Sequence, residues 1–286
     1  MKKIFFSLLA ILFLSTTHAQ NNTNTPKNKN SFVLGNIDSL FSKELNETRV
    51  LNIYLPEGYN PDSAFTYPVI YLLDGSADED FIHIAGLVQF SSFPWVNRVK
   101  PSIVVGIANV NRVRDFTYKA SDNFKLPDFA KPYAERYKKA GGSDKFIAFI
   151  EKELQPYVQK NYKANHYKTL IGQSLGGLIA TEILLKHTHL FNDYIMMSPS
   201  LWWDNESLLT QAPALLKKTS SNKTNVYLAV GKEGEIMEGD AKKLNEILKQ
   251  NNTGKMKLNF EYLPNENHGT ILHQGVSNAF SLLYSE

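Results

Sequence analysis

The sequence predicts an α/β protein with a mostly parallel central sheet, an antiparallel N-terminal edge and helices on both faces of the sheet. Three observations support this prediction. Short, nearly continuous apolar runs are typical of strands that are buried on both faces. Segments in which apolar residues recur at helical spacing lie between these runs, and this alternation is typical of parallel sheets. The chain also opens with two β-rich segments that we expect to pair with each other.

The strands are predicted from β-rich or apolar segments that end at turn residues. The antiparallel pair is expected at Ser31–Leu40 and Arg49–Leu55, and residues 56–61 (PEGYNP) form a turn cluster after it. Apolar runs predict six further strands, which supply the parallel part of the sheet. These are Tyr67–Leu73, Ile103–Ile107, Thr169–Ile171, Tyr194–Met197, Val226–Val230 and Leu258–Leu263.

Helices are predicted where apolar residues recur close to the period of an α-helix. Gly141 and Gly142 precede the first of these segments, the second follows the strand at Thr169–Ile171, and the last closes the chain. Because they alternate with the apolar runs, we expect them to cover the two faces of the sheet. The predicted helices are Ser143–Tyr162, Leu178–Leu185, Asp240–Leu248 and Ile271–Tyr284.

The first residues predict an export signal. Lys2 and Lys3 form a basic start, Ile4–Leu14 is an apolar run that is short for a membrane span, and residues 17–19 (THA) offer a cleavage site. We therefore expect residues 1–19 to be a signal peptide, and a periplasmic or secreted mature chain that begins near Gln20. The alternative is an uncleaved membrane anchor. After cleavage we expect no stable membrane insertion, because no later segment is long and apolar enough.

The rest of the chain divides into a polar segment and one domain. Residues 20–31 (QNNTNTPKNKNS) contain no large apolar side chain, so we expect a disordered tether. No internal repeat and no second linker follow it, and we expect residues 32–286 to form a single domain. The chain has 286 residues, of which 43% are hydrophobic, and this is enough apolar material for one large core.

Charge and cysteine content exclude several classes of protein. The formal charge is +3, and loss of Lys2 and Lys3 with the signal leaves +1, which favours neither nucleic acid nor an anionic membrane as partner. The chain contains no cysteine, which excludes disulfides, thiolate metal sites, a cysteine nucleophile and a lipidated N-terminal cysteine. Metal-ligand spacings and phosphate-binding glycine loops are also absent from the sequence, so we expect no cofactor.

Ser174 is the candidate nucleophile. It lies in the segment TLIGQSLGGL, a G-x-S-x-G pattern between an apolar strand and an apolar helix. A sharp turn between strand and helix holds such a serine in a strained conformation with its hydroxyl exposed. Gly172 and Gly176 prevent collisions across this turn, and Gly177 allows close packing of the helix. The alternative is a glycine-rich turn with an ordinary capping serine.

His268 is the candidate base, because serine needs a base to become a strong nucleophile. It follows the last predicted strand, and open α/β sheets place their sites in loops at the carboxyl ends of strands. His187 and His189 are expected at the C-terminal end of the helix after Ser174, and His273 within the last helix. The alternative for His268 is a structural histidine in a loop.

The acid that orients the base is less sharply predicted. The strand before the last one ends at residues 230–231, and Glu233 and Glu235 follow it closely. We choose Glu233 as the acid, with Glu235 as the alternative. Asp240 is expected to cap a helix, Glu238 to lie on the surface, and Asp204 is a more distant candidate. A serine–histidine pair without an acid is a further alternative.

The remaining candidates would line the site. The N–H of Leu175, at the start of the helix, is one expected oxyanion donor, and Gly75 or Ser76 after the first core strand is expected to supply the second. A simple turn is the alternative for Gly75 and Ser76. Trp202 and Trp203 are expected either in a substrate pocket or in the core.

Arginines after the strand Ile103–Ile107 are the last candidates. Arg112 could bind an anionic group of a substrate, and Arg114 is followed by Asp115. A structural pair between an arginine and an aspartate is the alternative for this segment. Neither possibility requires a metal or another cofactor.

Five segments together resemble one family. YPVIYLLDG, NRVRDFTY, GQSLGG, SPSLWW and ENHGT occur in order and resemble the Putative esterase (esterase D-like) family of α/β-hydrolases, particularly its bacterial enterochelin esterase-like members. The resemblance covers roughly residues 33–285. It implies the α/β-hydrolase fold, the family nucleophile at Ser174, the family histidine at His268 and a structural position at Asp115. It leaves the acid open, because the resemblance extends to siderophore esterases that work with a serine–histidine pair.

These features together predict a serine hydrolase that cleaves carboxylic esters through an acyl-enzyme on Ser174. The family that the chain resembles includes hydrolases of siderophore esters, feruloyl and acetyl-xylan esterases, S-formylglutathione hydrolases and mycolyl transferases. The expected substrate is therefore a small-molecule or glycan ester. One alternative is an acyltransferase that uses a sugar or lipid hydroxyl, and another is a non-catalytic secreted binding protein. The oligomeric state is left open.

Overall fold

The computed structural model describes residues 31–218 and 223–284. Within them, eight strands form one sheet in the order β1-β2-β4-β3-β5-β6-β7-β8, and all of these elements belong to the unit Leu34–Glu286. The strands are β1 Asn36–Ser42, β2 Glu47–Tyr54, β3 Tyr67–Leu72, β4 Ile103–Ile107, β5 Ala164–Gln173, β6 Asp193–Met197, β7 Thr224–Gly231 and β8 Met256–Leu263.

The strand directions confirm the predicted fold class. β1 pairs with β2, and β2 with β4, in antiparallel orientation. The pairs from β4 through β3, β5, β6 and β7 to β8 are all parallel. The antiparallel pair therefore forms one edge of a sheet whose other strands are parallel. The carboxyl ends of the parallel strands lie along one edge of the sheet, as the predicted site requires.

Two predicted strands differ from the observed ones at their starts. β1 begins at Asn36, and residues 31–35 carry no regular structure. β5 begins at Ala164, five residues before the predicted apolar run, because its polar first half pairs with β3 through the backbone. The side chains of this half are mostly only partly buried, so no apolar pattern marks it in the sequence.

From β3 onwards, helices connect the strands. Long helices at Phe81–Ser91 and Ser207–Leu216 were not predicted from the sequence. The helices are α1 Phe81–Ser91, α2 Arg112–Phe116, α3 Ala134–Tyr137, α4 Ser143–Phe149, α5 Gln155–Asn161, α6 Leu175–Lys186, α7 Ser207–Leu216, α8 Glu235–Asn251 and α9 Ile271–Leu283. The predicted helix Ser143–Tyr162 corresponds to α4, α5 and a π-helical turn, Ile150–Leu154, between them. Pro156 lies at the start of α5, where its missing N–H prevents one regular bond.

The start of α8 corrects one prediction. The helix begins at Glu235, so Asp240 lies inside it and does not cap it. The N–H groups of Glu233 and Gly234 donate to Glu238 Oε1 at 3.0 and 3.1 Å. Glu238 therefore holds the loop in front of the helix, although it was expected to be an ordinary surface residue. Gly234 has a φ of +86°, which glycine adopts at little cost.

The core lies on both faces of the sheet. In β3, Val69 and Tyr71 belong to one apolar cluster, and Ile70 and Leu72 to the other, because successive side chains of a strand point to opposite faces. One face is covered by α1 and α9, and the other by the remaining long helices. Strands buried in this way explain why the sequence shows continuous apolar runs.

The N-terminal predictions concern a part of the chain that is not described. The signal peptide at residues 1–19 lies outside the described residues, as does the tether at residues 20–31 apart from Ser31. In the two described ranges, no helix is long and apolar enough to cross a membrane.

Asp240 generates a prediction about stability. It is 5% exposed, and its Oδ2 has no hydrogen-bond partner among the described residues. Burial, and then the nearby Glu206, raise the pKa of Asp240 to about 6. Between about pH 4, where an unfolded aspartate titrates, and this value, only the unfolded state loses the proton. This group therefore makes the folded state less stable as the pH rises through the window.

The variant Asp240→Asn removes this titration. We expect its free energy of unfolding to exceed that of the wild type by about 1–3 kcal/mol above the window, and the difference to shrink towards pH 4. Urea denaturation at several pH values measures it. Asp62→Asn, in an exposed turn, is the matched control and should change stability little at any pH. A constant difference between Asp240→Asn and wild type at all pH values would contradict the prediction.

Candidate active site

Ser174 occupies a sharp turn between β5 and α6. Its φ is +60° and its ψ is −120°, a combination that costs a serine of the order of 1–3 kcal/mol. Its N–H donates to the carbonyl of Met197, at the end of β6, at 3.0 Å, and its carbonyl accepts the N–H of Leu178 at 2.9 Å. Backbone bonds on both sides therefore hold the strained turn in place.

The glycines around Ser174 are required by close backbone approach. A Cβ atom on Gly172 would lie 2.4 Å from the carbonyl oxygen of Gly176, and one on Gly177 would lie 2.9 Å from Cα of Pro199. Either side chain would force backbone apart. The glycines at these positions thus allow the turn itself and the packing of α6 against the loop after β6, as the sequence predicts.

The structure brings Glu233 and His268 together. Glu233 follows β7 and His268 follows β8, and Glu233 Oε2 lies 2.6 Å from Nδ1 of His268. The Glu233 side chain is 2% exposed and that of His268 is 45% exposed. Glu235, the alternative acid, is exposed at the first position of α8. Of the two predicted carboxylates, Glu233 is the one that contacts the candidate base.

The surroundings of Glu233 favour its charged form. Its Oε1 accepts hydrogen bonds from the Ser198 hydroxyl and from the N–H of Gly231 at 3.1 Å. Burial favours the neutral carboxyl group, but the hydrogen bonds with His268 and Ser198 outweigh burial and hold the pKa of Glu233 below its usual range. An ionised Glu233 accepts the Nδ1 proton of His268, which leaves Nε2 as the basic ring atom.

Backbone contacts fix the two loops against each other. The N–H of Lys232 donates to the carbonyl of Glu266 at 2.7 Å, and the side-chain amide of Gln173 donates to the carbonyl of His268. A Cβ atom on Gly231 would lie 2.7 Å from the carbonyl oxygen of Glu266, so glycine is needed where the loops meet. The loop that carries His268 is therefore tied to both β5 and β7.

Ser174 and His268 line the same cavity but are not hydrogen-bonded to each other. The Ser174 hydroxyl lies 3.3 Å from the hydroxyl of Ser200 instead, and Ser200 is almost fully buried. Bonds between a nucleophile and its base are often long or missing before substrate binds. Ser200 thus holds the Ser174 hydroxyl in this structure.

The other histidines after Ser174 lie where the sequence places them. His187 is the residue at the C-terminal end of α6, and His189 pairs with Glu151 at 2.8 Å. His273 is in α9, and its ring centroid lies 3.5 Å from that of His83. Asp204, the distant candidate for the acid, accepts hydrogen bonds from the N–H and hydroxyl of Ser121. None of these side chains contacts His268 in the described residues.

The predicted oxyanion donors differ in whether their N–H groups are free to bind a substrate. Leu175 is the first residue of α6, so its N–H has no partner within the helix. Gly75, in contrast, donates its N–H to the carbonyl of Ile107 at 3.1 Å. Gly75 and Ser76 also line neither of the two cavities that contain Ser174. In this structure the N–H of Gly75 is therefore already used by the backbone of β4, whereas a donor at Ser76 stays a prediction.

Arg112 lines both cavities that contain Ser174. Its Nε and Nη2 donate to the carboxylate of Asp74 at 2.6 and 2.8 Å, and Nη2 also donates to the carbonyl of Gln173 at 3.2 Å. Asn109 donates a further hydrogen bond to Asp74 at 2.7 Å. The guanidinium is thus fixed beside the residue that precedes Ser174. Its hydrogen bonds use only Nε and Nη2, so within the described residues Nη1 has no hydrogen-bond acceptor.

An aromatic cavity of about 660 Å³ opens above Ser174. Trp202 lines it, whereas Trp203 is 2% exposed and donates its indole N–H to the carbonyl of Tyr118 at 2.9 Å. The prediction of a pocket position thus holds for Trp202, and Trp203 belongs to the core. The segment between α2 and α4 supplies three further aromatic walls, Phe129, Tyr133 and Tyr137.

These further walls were not identified from the sequence. Phe129 packs edge-on against Trp202 with 5.3 Å between ring centroids, and Tyr137 stacks on Trp203 at 5.7 Å. The segment that carries Phe129 and Tyr137 has little regular structure and no apolar periodicity. Its aromatic residues are functional candidates only because they pack around the tryptophans after β6.

A shallower groove of about 440 Å³ lies on the other side of Ser174 and His268. Its acidic side is formed by Asp74, Glu79 and Asp80. Burial, followed by the charges of Asp74 and Glu79, raises the pKa of Asp80 to about 6. Within the described residues, no group of three or more histidine, aspartate or glutamate side chains is arranged to hold a metal ion. Ser174 and His268 therefore border both an aromatic cavity and an acidic groove.

Arg114 and Asp115 form the structural pair that the sequence allows. Arg114 Nε lies 2.6 Å from Asp115 Oδ1, and the fully buried Arg49 lies 2.8 Å from Asp115 Oδ2. Glu47 contacts both arginines. This network joins the start of β2 to α2, and so it supports the helix from which Arg112 reaches Asp74.

Comparison with known proteins identifies a family that matches most of the chain. A family model described as "Putative esterase" matches residues 42–273. This range begins at the end of β1 and includes every residue of the candidate site, from Asp74 through Ser174 to His268. The match therefore covers β2 to β8 and the candidate site that they position.

Individual relatives match over most of their length. The chain is 29% identical over 264 residues to the ferri-bacillibactin esterase BesA of Bacillus subtilis (strain 168), covering 87% of this chain and 90% of that protein. An IroE-like serine hydrolase from Shewanella oneidensis has a TM-score of 0.78 at 30% identity, covering 87% of this chain and 80% of that one. The BES protein from Bacillus cereus has a TM-score of 0.78 at 32% identity, covering 91% and 99%.

Proposed function

The chain belongs to the Putative esterase family and is an ester-hydrolysing enzyme, and we propose that it cleaves siderophore-type esters through an acyl-enzyme on Ser174 after export. The observation that carries the proposal is the contact of His268 with a buried Glu233 beside Ser174. An oriented base next to a serine on a strained turn is the arrangement that acyl transfer needs. Because the enzyme hydrolyses esters, the alternative of a non-catalytic binding protein falls away.

The first chemical step forms the acyl-enzyme. As substrate binds, the Ser174 hydroxyl leaves Ser200 and turns towards Nε2 of His268. Its oxygen attacks the ester carbonyl carbon while His268 takes its proton, and Glu233 stabilises the resulting imidazolium through Nδ1. The tetrahedral intermediate then collapses. The bond to the alcohol oxygen breaks, and His268 gives its proton to the departing alcohol.

The developing oxyanion needs donors near Ser174. The N–H of Leu175 is unpaired within its helix, and Arg112 presents the two N–H groups of Nη1, since Asp74 and Gln173 accept only from Nε and Nη2. We assign Arg112 as the second donor for this reason. Asp74 contributes by holding the guanidinium in place, which lowers the reorganisation needed during the reaction.

The second step releases the acid. A water molecule occupies the position of the departed alcohol, and His268 takes one of its protons while its oxygen attacks the acyl carbon. Collapse of this second intermediate breaks the bond to the Ser174 oxygen, which recovers its proton from His268. The free acid leaves, and the enzyme returns to its starting state.

The substrate class is supported by the cavity and by the relatives. Rings of Phe129, Tyr133, Tyr137 and Trp202 around a space of about 660 Å³ suit a substrate with flat aromatic groups, because aromatic rings pack favourably on one another. The ferri-bacillibactin esterase BesA is 29% identical over 264 residues. An aryl-bearing siderophore ester fits both observations.

Export is supported by the first residues of the chain. The basic start at Lys2 and Lys3, the short apolar run Ile4–Leu14 and the small residues before Gln20 together favour a cleaved signal. An exported enzyme without cysteine depends on its core for stability, and the two apolar clusters on the sheet supply one. The mature enzyme would then act in the periplasm or outside the cell.

The variant Ser174→Ala tests the proposed activity. We expect wild-type enzyme to release free acid from ferri-bacillibactin and from nitrophenyl esters, and Ser174→Ala to lose at least about 10³-fold in kcat on both. Mass spectrometry of a quenched wild-type reaction should find the acyl group on Ser174. Hydrolysis by Ser174→Ala at the wild-type rate would contradict the mechanism. Activity on nitrophenyl esters alone would contradict the substrate class.

The variant Arg112→Lys tests the oxyanion donor. Lysine keeps the charge but loses the fork that Asp74 holds, so we expect kcat on nitrophenyl esters to fall about 100-fold. Arg114→Lys is the matched control, because Arg114 lies in the same helix as Arg112 but its hydrogen bonds go to Glu47 and Asp115. It should keep a wild-type kcat. Equal losses in the two variants would show that Arg112 acts through the stability of α2.

Export is tested by following the N-terminus. When the full chain is produced in a bacterium, we expect the enzyme in the periplasm or the medium, with Gln20 at or near its first position by mass spectrometry. Replacement of Leu9 by arginine interrupts the apolar run and should leave the uncut chain inside the cell. Recovery of uncut wild-type chain from the membrane would support the anchor instead.

A further inference from the structure

Ser198 is a buried residue with an unusual backbone. It follows β6 directly, is 0% exposed and has a φ of +42°. Residues other than glycine rarely adopt the left-handed region, which costs them roughly 1–2 kcal/mol. Glycine would relieve this strain but has no hydroxyl. A serine at this strained position is explained if its hydroxyl is needed for the contact with Glu233.

Contacts of Ser198 and of its neighbour Met197 link the Ser174 turn to β7 and to Glu233. Its N–H donates to the carbonyl of Ala229 in β7 at 2.8 Å, and the carbonyl of the residue before it, Met197, accepts the N–H of Ser174. Its hydroxyl donates to Oε1 of Glu233. The backbone at Ser198 is therefore fixed by the strand that leads to Glu233 and by the turn that carries Ser174.

A second hydrogen bond is needed to fix the carboxylate of Glu233, because its side chain has three torsions. His268 contacts Oε2 at 2.6 Å, which by itself leaves the carboxylate free to rotate about its last torsion. Oε1 accepts only from Ser198 and from the N–H of Gly231 among the described residues. A hydroxyl has one proton to donate, and in this structure the proton of Ser198 is used on Glu233.

We propose that Ser198 is a positioning residue for ester hydrolysis, which fixes the carboxylate of Glu233 against His268 and keeps that pair in register with Ser174. This inference rests on the proposed function. Ser198 lines neither of the cavities that contain Ser174, so its hydroxyl acts on the reaction through Glu233. Its contribution is greatest when His268 becomes charged in each transition state, since the imidazolium then depends on a fixed, ionised carboxylate.

The variants Ser198→Ala and Ser198→Gly test the hydroxyl. Both remove it, but glycine also relieves the backbone strain. For each variant we expect kcat on a nitrophenyl ester to fall about 10- to 100-fold, the size of a lost hydrogen bond to a charged group, with KM within about twofold of wild type. A fluorophosphonate should label Ser174 more slowly to a similar degree.

Ser102→Ala is the matched control. Ser102 is also a buried serine, 1% exposed, but its hydroxyl donates to the backbone carbonyl of Lys100, before β4 and away from the carboxyl edge of the sheet. This variant should keep wild-type kcat and labelling rates. Thermal unfolding of all three variants shows whether they fold. If Ser198→Ala does not fold, Ser198→Gly, which suits the positive φ, carries the test.

A double-mutant cycle with Glu233→Gln separates positioning from general structure. If Ser198 acts through the carboxylate, Ser198→Ala should lower kcat by less than twofold in the Glu233→Gln background. An equal loss in both backgrounds would overturn the inference, as would a wild-type kcat in Ser198→Ala and Ser198→Gly. Either result, together with an inactive Ser174→Ala, would leave the proposed function intact. An active Ser174→Ala would instead overturn the proposed function itself.

Discussion

The strained turn at Ser174 is the constraint on which the rest of the site depends. A serine at positive φ persists only where its neighbours leave no alternative. Here the contact between Gly172 and Gly176 brings β5 and α6 together, and Met197 at the end of β6 holds the Ser174 N–H. The same turn leaves the first N–H groups of α6 unpaired. One backbone conformation thus presents a hydroxyl and the N–H of Leu175, the proposed oxyanion donor, at the same point.

The proposed acid and base reach that point because parallel strands end at one edge of the sheet. Glu233 follows β7 and His268 follows β8, and the backbone contact between Lys232 and Glu266 holds their loops together. Burial would make Glu233 neutral, but hydrogen bonds keep the pKa of its carboxyl group below the usual range. The orientation of His268 and the charge of Glu233 therefore depend on contacts between residues far apart in the chain.

The two spaces beside Ser174 and His268 differ in chemistry. On one side the aromatic rings around Trp202 form a cavity, and on the other Asp74 and its acidic neighbours form a groove. Arg112 borders both spaces, and its pairing with Asp74 fixes it without using all its donors. This division separates a region that can hold flat apolar groups from a charged region. The ion pair between Arg49 and Asp115 supports α2, the helix that carries Arg112.

The sequence by itself determined the features that depend on local pattern: parallel strands from apolar runs, the turn at Ser174 from glycine spacing, and the place of His268 after the last strand. Only the tertiary structure decided between Glu233 and Glu235, removed Gly75 as an oxyanion donor, and assigned Trp202 to the cavity and Trp203 to the core. Such choices depend on which hydrogen bonds and ring contacts form between distant segments. Periodicity and spacing report burial along one element, whereas these contacts arise only when strands from across the chain meet at one edge.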